Sequence, residues 1–214
     1  MLRIVVLISG NGSNLQAIID DIHDDEIEAE VVAVISDKKD AYGLQRAQQA
    51  GIDAITLENT DCPSREEYDA QLQKIIDQYQ PNLVALAGFM RILSDEFVNH
   101  FQGKLINIHP SLLPKYQGLN THQRVIDAGD KHHGASVHFV IPELDAGPLI
   151  LQAEVPIHEG DTADELAQRV HKEEHIIYPL VIKWFAEGRV EMKNNRTFKD
   201  GKELKPEAAM LHLI

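Results

Sequence analysis

An asparagine, a histidine and a downstream aspartate are the residues of this chain best suited to acyl-transfer chemistry. Asn107 and His109 lie two apart in the apolar run Leu105–His109. On a strand this spacing puts both side chains on one face, and Pro110 favours an end to the strand there. Asp145 follows downstream. An amide that can stabilise an oxyanion, a histidine for proton transfer and a carboxylate that favours the charged imidazolium are what acyl transfer requires.

Each of these residues also has a simpler structural explanation. A lone histidine is often a buried, hydrogen-bonded side chain, and an aspartate beside Gly147 and Pro148 is a common turn former. Of the remaining histidines, His171 and His175 lie four apart on a predicted helix and could share a metal. Surface or packing roles are more usual at this spacing, so we expect no metal site. The single cysteine, Cys62, has no activating neighbour and receives no role.

The run Gly10–Asn14 is a glycine-rich turn between a predicted strand and a predicted helix. Position 15 is Leu15, so the third glycine of a dinucleotide fingerprint is missing, and the lysine of a P-loop is also absent. Backbone amides, the Ser13 hydroxyl and a helix N-terminus could hold a monophosphate. A tight turn with Ser13 as the N-cap explains the residues equally well, and the sequence leaves both explanations open.

Apolar runs and helical periodicity alternate along the first half of the chain. Strands are predicted at Leu2–Ile8, Val31–Ile35, Ala54–Leu57, Leu83–Ala87 and Leu105–His109, and helices over Leu15–Ile22, over Tyr42–Ala50, after Ser64 and over Ser94–Phe101. This alternation predicts an α/β fold with an open, mostly parallel, Rossmann-like sheet and helices on both faces. Ligands of such sheets bind beyond the carboxyl ends of the strands.

The second half is less regular. A helix is predicted over Asn120–Ala128, and strands over Ala135–Ile141 and Leu149–Val155 extend the sheet as antiparallel additions. A capping-box spacing at Thr162 starts a long helix, and the polar tail from Lys193 is predicted to be irregular. We expect one domain over residues 1–214, made of two halves (1–100 and 101–190) and a C-terminal tail (191–214).

Composition narrows the possible partners. The net charge of −14 disfavours nucleic acid, which requires a basic surface. No apolar run approaches the ~20 residues of a membrane span, and the N-terminus lacks signal-peptide architecture. One cysteine permits no internal disulfide, which suits a reducing compartment. We therefore expect a cytoplasmic protein with small-molecule substrates and no membrane partner, either monomeric or homodimeric.

Four motifs carry a family resemblance. The segments Ile8–Leu15, Leu86–Ser94, Asn107–Pro114 and His138–Pro148 resemble those of the phosphoribosylglycinamide formyltransferases, a folate-dependent formyltransferase family. The resemblance covers about residues 2–190 and keeps the order and spacing of the family's motifs. One departure is Asn120, which stands where many members have histidine.

The resemblance implies a formyltransferase fold and a formyl transfer from 10-formyltetrahydrofolate to the amine of glycinamide ribonucleotide, a step of purine synthesis. Formyl folate would be a co-substrate, and no metal would be needed. Residues 1–100 would form the nucleotide-binding half, and residues 101–190 the catalytic and folate-binding half. The roles it implies are catalytic for Asn107, His109 and Asp145, nucleotide-binding for Gly12, Ser13, Asn14 and Glu174, and folate-binding for Arg65, Met90, Arg91, Ile92, Leu93, Asn107, Ile141, Pro142, Glu143, Leu144 and Asp145.

We expect direct attack of the amine on the formyl carbon, with Asn107 and protonated His109 stabilising the developing oxyanion and Asp145 relaying protons. A hydrolase that releases formate is the nearest alternative, although such enzymes usually carry an additional N-terminal domain and this chain begins at the first strand. A non-catalytic binding module and a nicotinamide-dependent dehydrogenase are more distant alternatives, and the missing third glycine counts against the dehydrogenase.

Overall fold

The computed structural model describes residues 1–211 and divides the chain into two compact units between Asn107 and Ile108. The single domain and the boundary near residue 100 stay predictions. None of the helices within the described residues is long and apolar enough to cross a membrane.

The first unit is built on parallel strands. They are β1 (Leu2–Ile8), β2 (Ala29–Ser36), β3 (Asp53–Thr56), β4 (Leu83–Leu86) and β5 (Leu105–His109), which runs on into the second unit. β1 pairs with β2 on one side and β4 on the other, and β4 pairs in turn with β5. The stretch from Ile4 to Ile8 is fully buried, as expected of a central parallel strand covered on both faces.

Four α-helices connect these strands. They are α1 (Ser13–His23), α2 (Tyr42–Gln49), α3 (Arg65–Gln78) and α4 (Asp95–His100), with a short 3-10 helix at Asn59–Asp61. The hydroxyls of Ser64 and Ser94 accept hydrogen bonds from backbone amides three residues on. These caps satisfy amides that would otherwise lack partners at a helix start.

The second unit contains α5 (Thr121–Asp127), β6 (His132–Phe139), β7 (Leu149–Pro156) and α6 (Ala163–Ala186). β6 and β7 are antiparallel. A full capping box between Thr162 and Glu165 begins α6, and Pro179 lies inside this helix without ending it.

The large sheet has eight strands in the order β11-β7-β6-β5-β4-β1-β2-β3, where β11 is Met210–Leu211 and lies parallel to β7. The pairs β1–β2, β1–β4, β2–β3, β4–β5 and β7–β11 are parallel, and β6–β7 is antiparallel. The predicted α/β fold, a mostly parallel open sheet with an antiparallel extension, is confirmed.

The prediction of an irregular tail from residue 193 is wrong. Strands β8 (Val190–Lys193), β9 (Arg196–Lys199) and β10 (Lys202–Glu203) form a second, antiparallel sheet. A 3-10 helix at Pro206–Ala208 precedes β11. The predicted tail residues 212–214 lie outside the described part of the chain.

Two tight turns create this second sheet. Asn194 and Asn195 have φ angles of 51° and 54°, and Asp200 and Gly201 have 52° and 76°. Two successive residues with positive φ make a type I′ turn, whose twist matches that of antiparallel strands.

Candidate active site

The glycine loop, Gly10–Asn14, connects β1 to α1 in the first unit. Gly12 has φ 73° and occupies the N-cap position, so Ser13 is the first residue of α1 and not its cap. A Cβ atom on Gly12 would lie 2.7 Å from Cα of Gly43 in α2. Only glycine permits this approach, which leaves Ser13 and Asn14 at the helix start with its partial positive charge.

A second loop of the first unit, 87–93, follows β4, the neighbour of β1. The Ser9 hydroxyl accepts a hydrogen bond from the Met90 amide at 2.8 Å, and the Ser9 amide donates to the Gly88 carbonyl at 3.1 Å. These bonds join the chain after β1 to the chain after β4 at the carboxyl edge of the sheet. Met90 and Ile92 are 65% and 60% exposed, whereas Leu93 is buried.

Two arginines of the first unit stand at predicted folate positions. The guanidinium of Arg91 stacks over the Tyr68 ring at 3.8 Å, and its buried Nε atom has no hydrogen-bond partner. Arg65 begins α3 with an exposed side chain 3.3 Å from Glu66. Arg91 therefore retains a donor for an acceptor that a ligand could provide.

Strand β5 carries both Asn107 and His109. Asn107 pairs in register with Leu86 of β4. His109, 6% exposed, donates from Nε2 to the Tyr116 carbonyl at 2.9 Å, because a carbonyl oxygen can only accept. Tyr116 has φ 56°, an uncommon conformation for a bulky residue.

Asp145 lies beside His109 within the second unit. Its Oδ2 atom is 3.5 Å from Nδ1 of His109 and accepts a hydrogen bond from the Gly118 amide at 2.9 Å. Its Oδ1 atom is 3.8 Å from Nε2 of His138. The carboxylate, 9% exposed, is thus flanked by two imidazoles. The predicted pairing of His109 with Asp145 is present in the geometry, although the roles of the two residues stay predictions.

His138 is a neighbour of Asp145 that sequence reasoning did not assign to the site. It is 2% exposed, and its Nδ1 donates to the Phe139 carbonyl at 2.8 Å. Burial lowers the pKa of His138 to about 4, so the ring is neutral at pH 7. Two signals were available in the sequence: His138 begins the motif His138–Pro148, and it lies in a predicted buried strand. A core histidine would also give the second signal.

Gly147 makes room for this arrangement. A Cβ atom at that position would lie 1.7 Å from the Phe139 carbonyl oxygen and 3.4 Å from Nδ1 of His138. A larger residue at position 147 would displace the Phe139 carbonyl, which accepts the hydrogen bond from His138. Glycine is therefore required sterically at this position.

A buried histidine pair lies in the same unit. Nδ1 of His122 is 3.1 Å from Nε2 of His133, and the ring of His133 is edge-on to Tyr116. Burial lowers the pKa of His133 to about 4 and also lowers that of His122. The two rings pack as neutral groups at pH 7.

Comparison with known proteins decides the family. The sequence model described as formyl transferase matches residues 2–182. The chain belongs to the formyl transferase family. A phosphoribosylglycinamide formyltransferase of Escherichia coli is 57% identical over 206 residues, which cover 96% of this chain and 97% of that protein. The enzyme of the same name from Haemophilus influenzae is 50% identical over 204 residues, covering 95% and 96%. A solved structure of the Coxiella burnetii enzyme, in complex with CHES, has a TM-score of 0.94 at 55% identity, covering 99% of each chain.

Predicted site residues occur in each of the two units. The first unit carries Gly12, Ser13, Asn14, Arg65, Met90, Arg91, Ile92, Leu93 and Asn107, and the second carries His109, Ile141, Pro142, Glu143, Leu144, Asp145 and Glu174. Leu144 is 50% exposed in the loop before Asp145. Glu174 is buried in α6. The pKa of the nearby Tyr178 is raised by the burial of Tyr178 and by the negative charge of Glu174.

Three further features of the second unit bear on the sequence analysis. Asn120 has φ 56° at the N-cap of α5, a conformation that asparagine tolerates well. The Leu113–Pro114 bond is cis. The described side chains, which include His171 and His175, contain no group of three or more His, Cys, Asp or Glu placed to hold a metal ion.

Proposed function

We propose that the protein transfers the formyl group of 10-formyltetrahydrofolate to the amine of glycinamide ribonucleotide, giving formylglycinamide ribonucleotide and tetrahydrofolate. This is a step of purine synthesis. The observation that carries the proposal is the 57% identity to a phosphoribosylglycinamide formyltransferase along nearly the whole length of both chains. The comparisons offer no support for the hydrolase alternative.

The glycine loop is the proposed site of the nucleotide's phosphate. Positive φ at Gly12 lets the backbone turn sharply into α1, so that the amides of Ser13 and Asn14 and the Ser13 hydroxyl can point at an anion. Glu174 is proposed to accept hydrogen bonds from the ribose hydroxyls. A carboxylate suits this task because it accepts two hydrogen bonds from neighbouring hydroxyl groups.

Formyl folate is the proposed co-substrate. The exposed side chains of Met90 and Ile92 in the first unit offer apolar surface for its flat ring system. Leu144, which is exposed in the second unit, is a further proposed folate contact. The Nε atom of Arg91, buried without a partner, and the exposed Arg65 fit a ligand with carboxylate groups. Leu93, Ile141, Pro142 and Glu143 complete the proposed folate contacts.

Asn107, His109 and Asp145 are the proposed catalytic residues. The neutral amine of the nucleotide attacks the formyl carbon, and negative charge develops on the formyl oxygen. The Asn107 amide and an N–H of His109 stabilise this charge. Removal of one such donor typically costs ~10²–10³ in rate.

The His109 ring requires one rearrangement for this role. Its Nε2 proton is held by the Tyr116 carbonyl, and its Nδ1 faces Asp145. We propose that Nε2–H leaves the carbonyl for the formyl oxygen when the co-substrate binds, while Asp145 stays beside Nδ1. Asp145 also passes protons from the attacking amine towards the departing folate nitrogen through water, a contribution of ~10²–10⁴.

The cytoplasm is the proposed compartment, in keeping with the single cysteine of the chain. The choice between monomer and homodimer stays open.

A coupled pair of assays tests the activity. Purified protein is mixed with 10-formyl-dideazafolate, and deformylation is followed by absorbance with and without glycinamide ribonucleotide. Deformylation that depends on the nucleotide supports the proposal. Equal deformylation without it would indicate a hydrolase, and none with either mixture would contradict the proposal.

A further inference from the structure

An arginine outside the predicted site holds the glycine loop. Arg46 of α2 donates from Nε to the backbone carbonyl of Asn11 at 2.9 Å and from Nη2 to the Asn11 side-chain oxygen at 3.0 Å. Its Nη1 donates to Oε1 of Gln16, in α1, at 3.1 Å. One guanidinium thus donates hydrogen bonds to the backbone and the side chain of Asn11 in the loop and to a side chain in the first turn of α1.

The loop has little freedom to move against α2. The Gly43 amide donates to the Gly10 carbonyl at 3.0 Å, and Gly12 packs against Gly43 so closely that no Cβ would fit. Arg46 lies one helical turn beyond Gly43, where its side chain can close over the loop. The backbone contacts set the distance between loop and helix, and Arg46 fixes the orientation of Asn11.

The charge of Arg46 is also placed to act on an anion. The protein has a net charge of −14, which disfavours the approach of a phosphate. The acceptors that hold the guanidinium are amide oxygens of Asn11 and Gln16. Because these partners are neutral, they hold the guanidinium without cancelling its positive charge beside the loop.

We propose that Arg46 is a positioning residue for the phosphate of the acceptor substrate. The hydrogen bonds of its guanidinium order the glycine loop so that the loop amides point towards the phosphate. Its positive charge offsets the negative field of the protein beside the loop. This inference rests on the proposed phosphate site at Gly12–Asn14. It assigns Arg46 to recognition of the acceptor's phosphate and to neither folate binding nor the chemical step.

Two acceptors and two substitutions separate this role from a merely structural one. Steady-state kinetics are measured for the unaltered enzyme, Arg46→Met and Arg46→Lys, with glycinamide ribonucleotide and with the corresponding nucleoside that lacks the phosphate. Arg189→Met serves as the control, since Arg189 pairs with Glu187 and Asp200 on the surface. Thermal unfolding of each variant reports whether it is folded.

We expect Arg46→Met to raise the KM for the nucleotide ~10–100-fold, the effect of losing charged hydrogen bonds. The kcat, the KM for folate and the kcat/KM for the nucleoside should stay within about twofold of the unaltered enzyme. Arg46→Lys should recover part of the loss, because lysine keeps the charge and loses the fork. The control should match the unaltered enzyme with both acceptors.

Two other patterns would overturn the inference in different ways. An equal loss with nucleotide and nucleoside, or an unchanged KM for the nucleotide, would remove Arg46 from phosphate recognition and leave the proposed function standing. If the unaltered enzyme used the nucleoside as well as the nucleotide, or used neither, the phosphate site itself would fail, and the role of Arg46 would fail with it.

Discussion

Oδ2 of Asp145 lies 3.5 Å from Nδ1 of His109, the ring nitrogen opposite the one that donates to Tyr116. The carboxylate can therefore stabilise charge on the imidazole without occupying the edge that would meet a substrate. This division between the two edges of one ring underlies the proposed mechanism.

Replacement of Asp145 by asparagine should separate turnover from binding. The amide keeps the shape of the side chain and loses the negative charge that stabilises the imidazolium, so we expect kcat to fall by ~10²–10⁴. The affinity for folate, measured by fluorescence titration, should change by less than about threefold. Asp164→Asn, at an exposed aspartate in the first turn of α6, is the matched control and should retain a normal kcat. Normal turnover by Asp145→Asn would exclude the assigned role.

The exposed apolar side chain of Ile92 should contribute to folate binding. Ile92→Ser removes apolar surface that a bound pterin would cover, a loss of about 1.5–3 kcal/mol, or ~10–100-fold in KM for folate. The free energy of unfolding should hardly change, because the side chain is 60% exposed. Ile176→Ser, at 45% exposure on α6, tests general surface effects and should leave KM unaltered. Equal KM values for both variants and the unaltered enzyme would refute the assignment.

Gly147→Ala should disrupt the support of Asp145. The added Cβ would overlap the Phe139 carbonyl oxygen, so the chain must shift and His138 loses its acceptor. We expect a loss of stability of about 1–3 kcal/mol, measured by urea unfolding, and a fall in kcat. Gly129→Ala provides the comparison, since Gly129 has φ 69° with open space around it. It should cost about 1–2 kcal/mol and leave kcat unchanged. A fully active Gly147→Ala variant would contradict the proposed tight fit.

The buried histidines should make the protein less stable in acid. His133 and His138 have pKa values of about 4, below the ordinary 6.5, so the unfolded chain binds more protons than the folded one between these values. The free energy of unfolding should therefore decrease as the pH falls through 6.5 towards 4, and the slope from these two groups should vanish about one unit above 6.5.

Urea unfolding at a series of pH values checks this expectation. His133→Gln removes one of the buried histidines with a lowered pKa and should flatten the pH dependence, while His23→Gln, on the exposed end of α1, should not. A stability that rises on acidification across this range would show that the histidines are not held neutral.

The sequence predicted the parallel core closely because its signals there are local and strong. β1 and β5 begin and end at the predicted residues, Leu2–Ile8 and Leu105–His109, since a buried parallel strand is a continuous apolar run with polar or proline boundaries. The prediction for the C-terminal tail was wrong for the opposite reason. Its strands are short and largely polar, and this composition led to a prediction of irregular structure. The pairs Asn194–Asn195 and Asp200–Gly201 favour tight turns between strands, but this local signal was not used.

The site was predicted only as far as strand spacing and family motifs allow. The spacing of Asn107 and His109 is a property of one strand, whereas the approach of Asp145 to His109 depends on how a distant loop returns. The hydrogen bond from His109 to Tyr116 depends on the positive φ of Tyr116. The hydrogen bonds from Arg46 to Asn11 join residues that lie 35 positions apart. Such contacts are made by tertiary folding and leave no periodic signal in the chain.

The most direct test of the proposed function follows the formyl carbon itself. The enzyme is incubated with formyl folate labelled at that carbon and with glycinamide ribonucleotide, and the products are separated and examined by mass spectrometry. The proposal predicts that the label appears in formylglycinamide ribonucleotide with tetrahydrofolate as the other product. Label recovered as free formate, with the nucleotide unchanged, would contradict it.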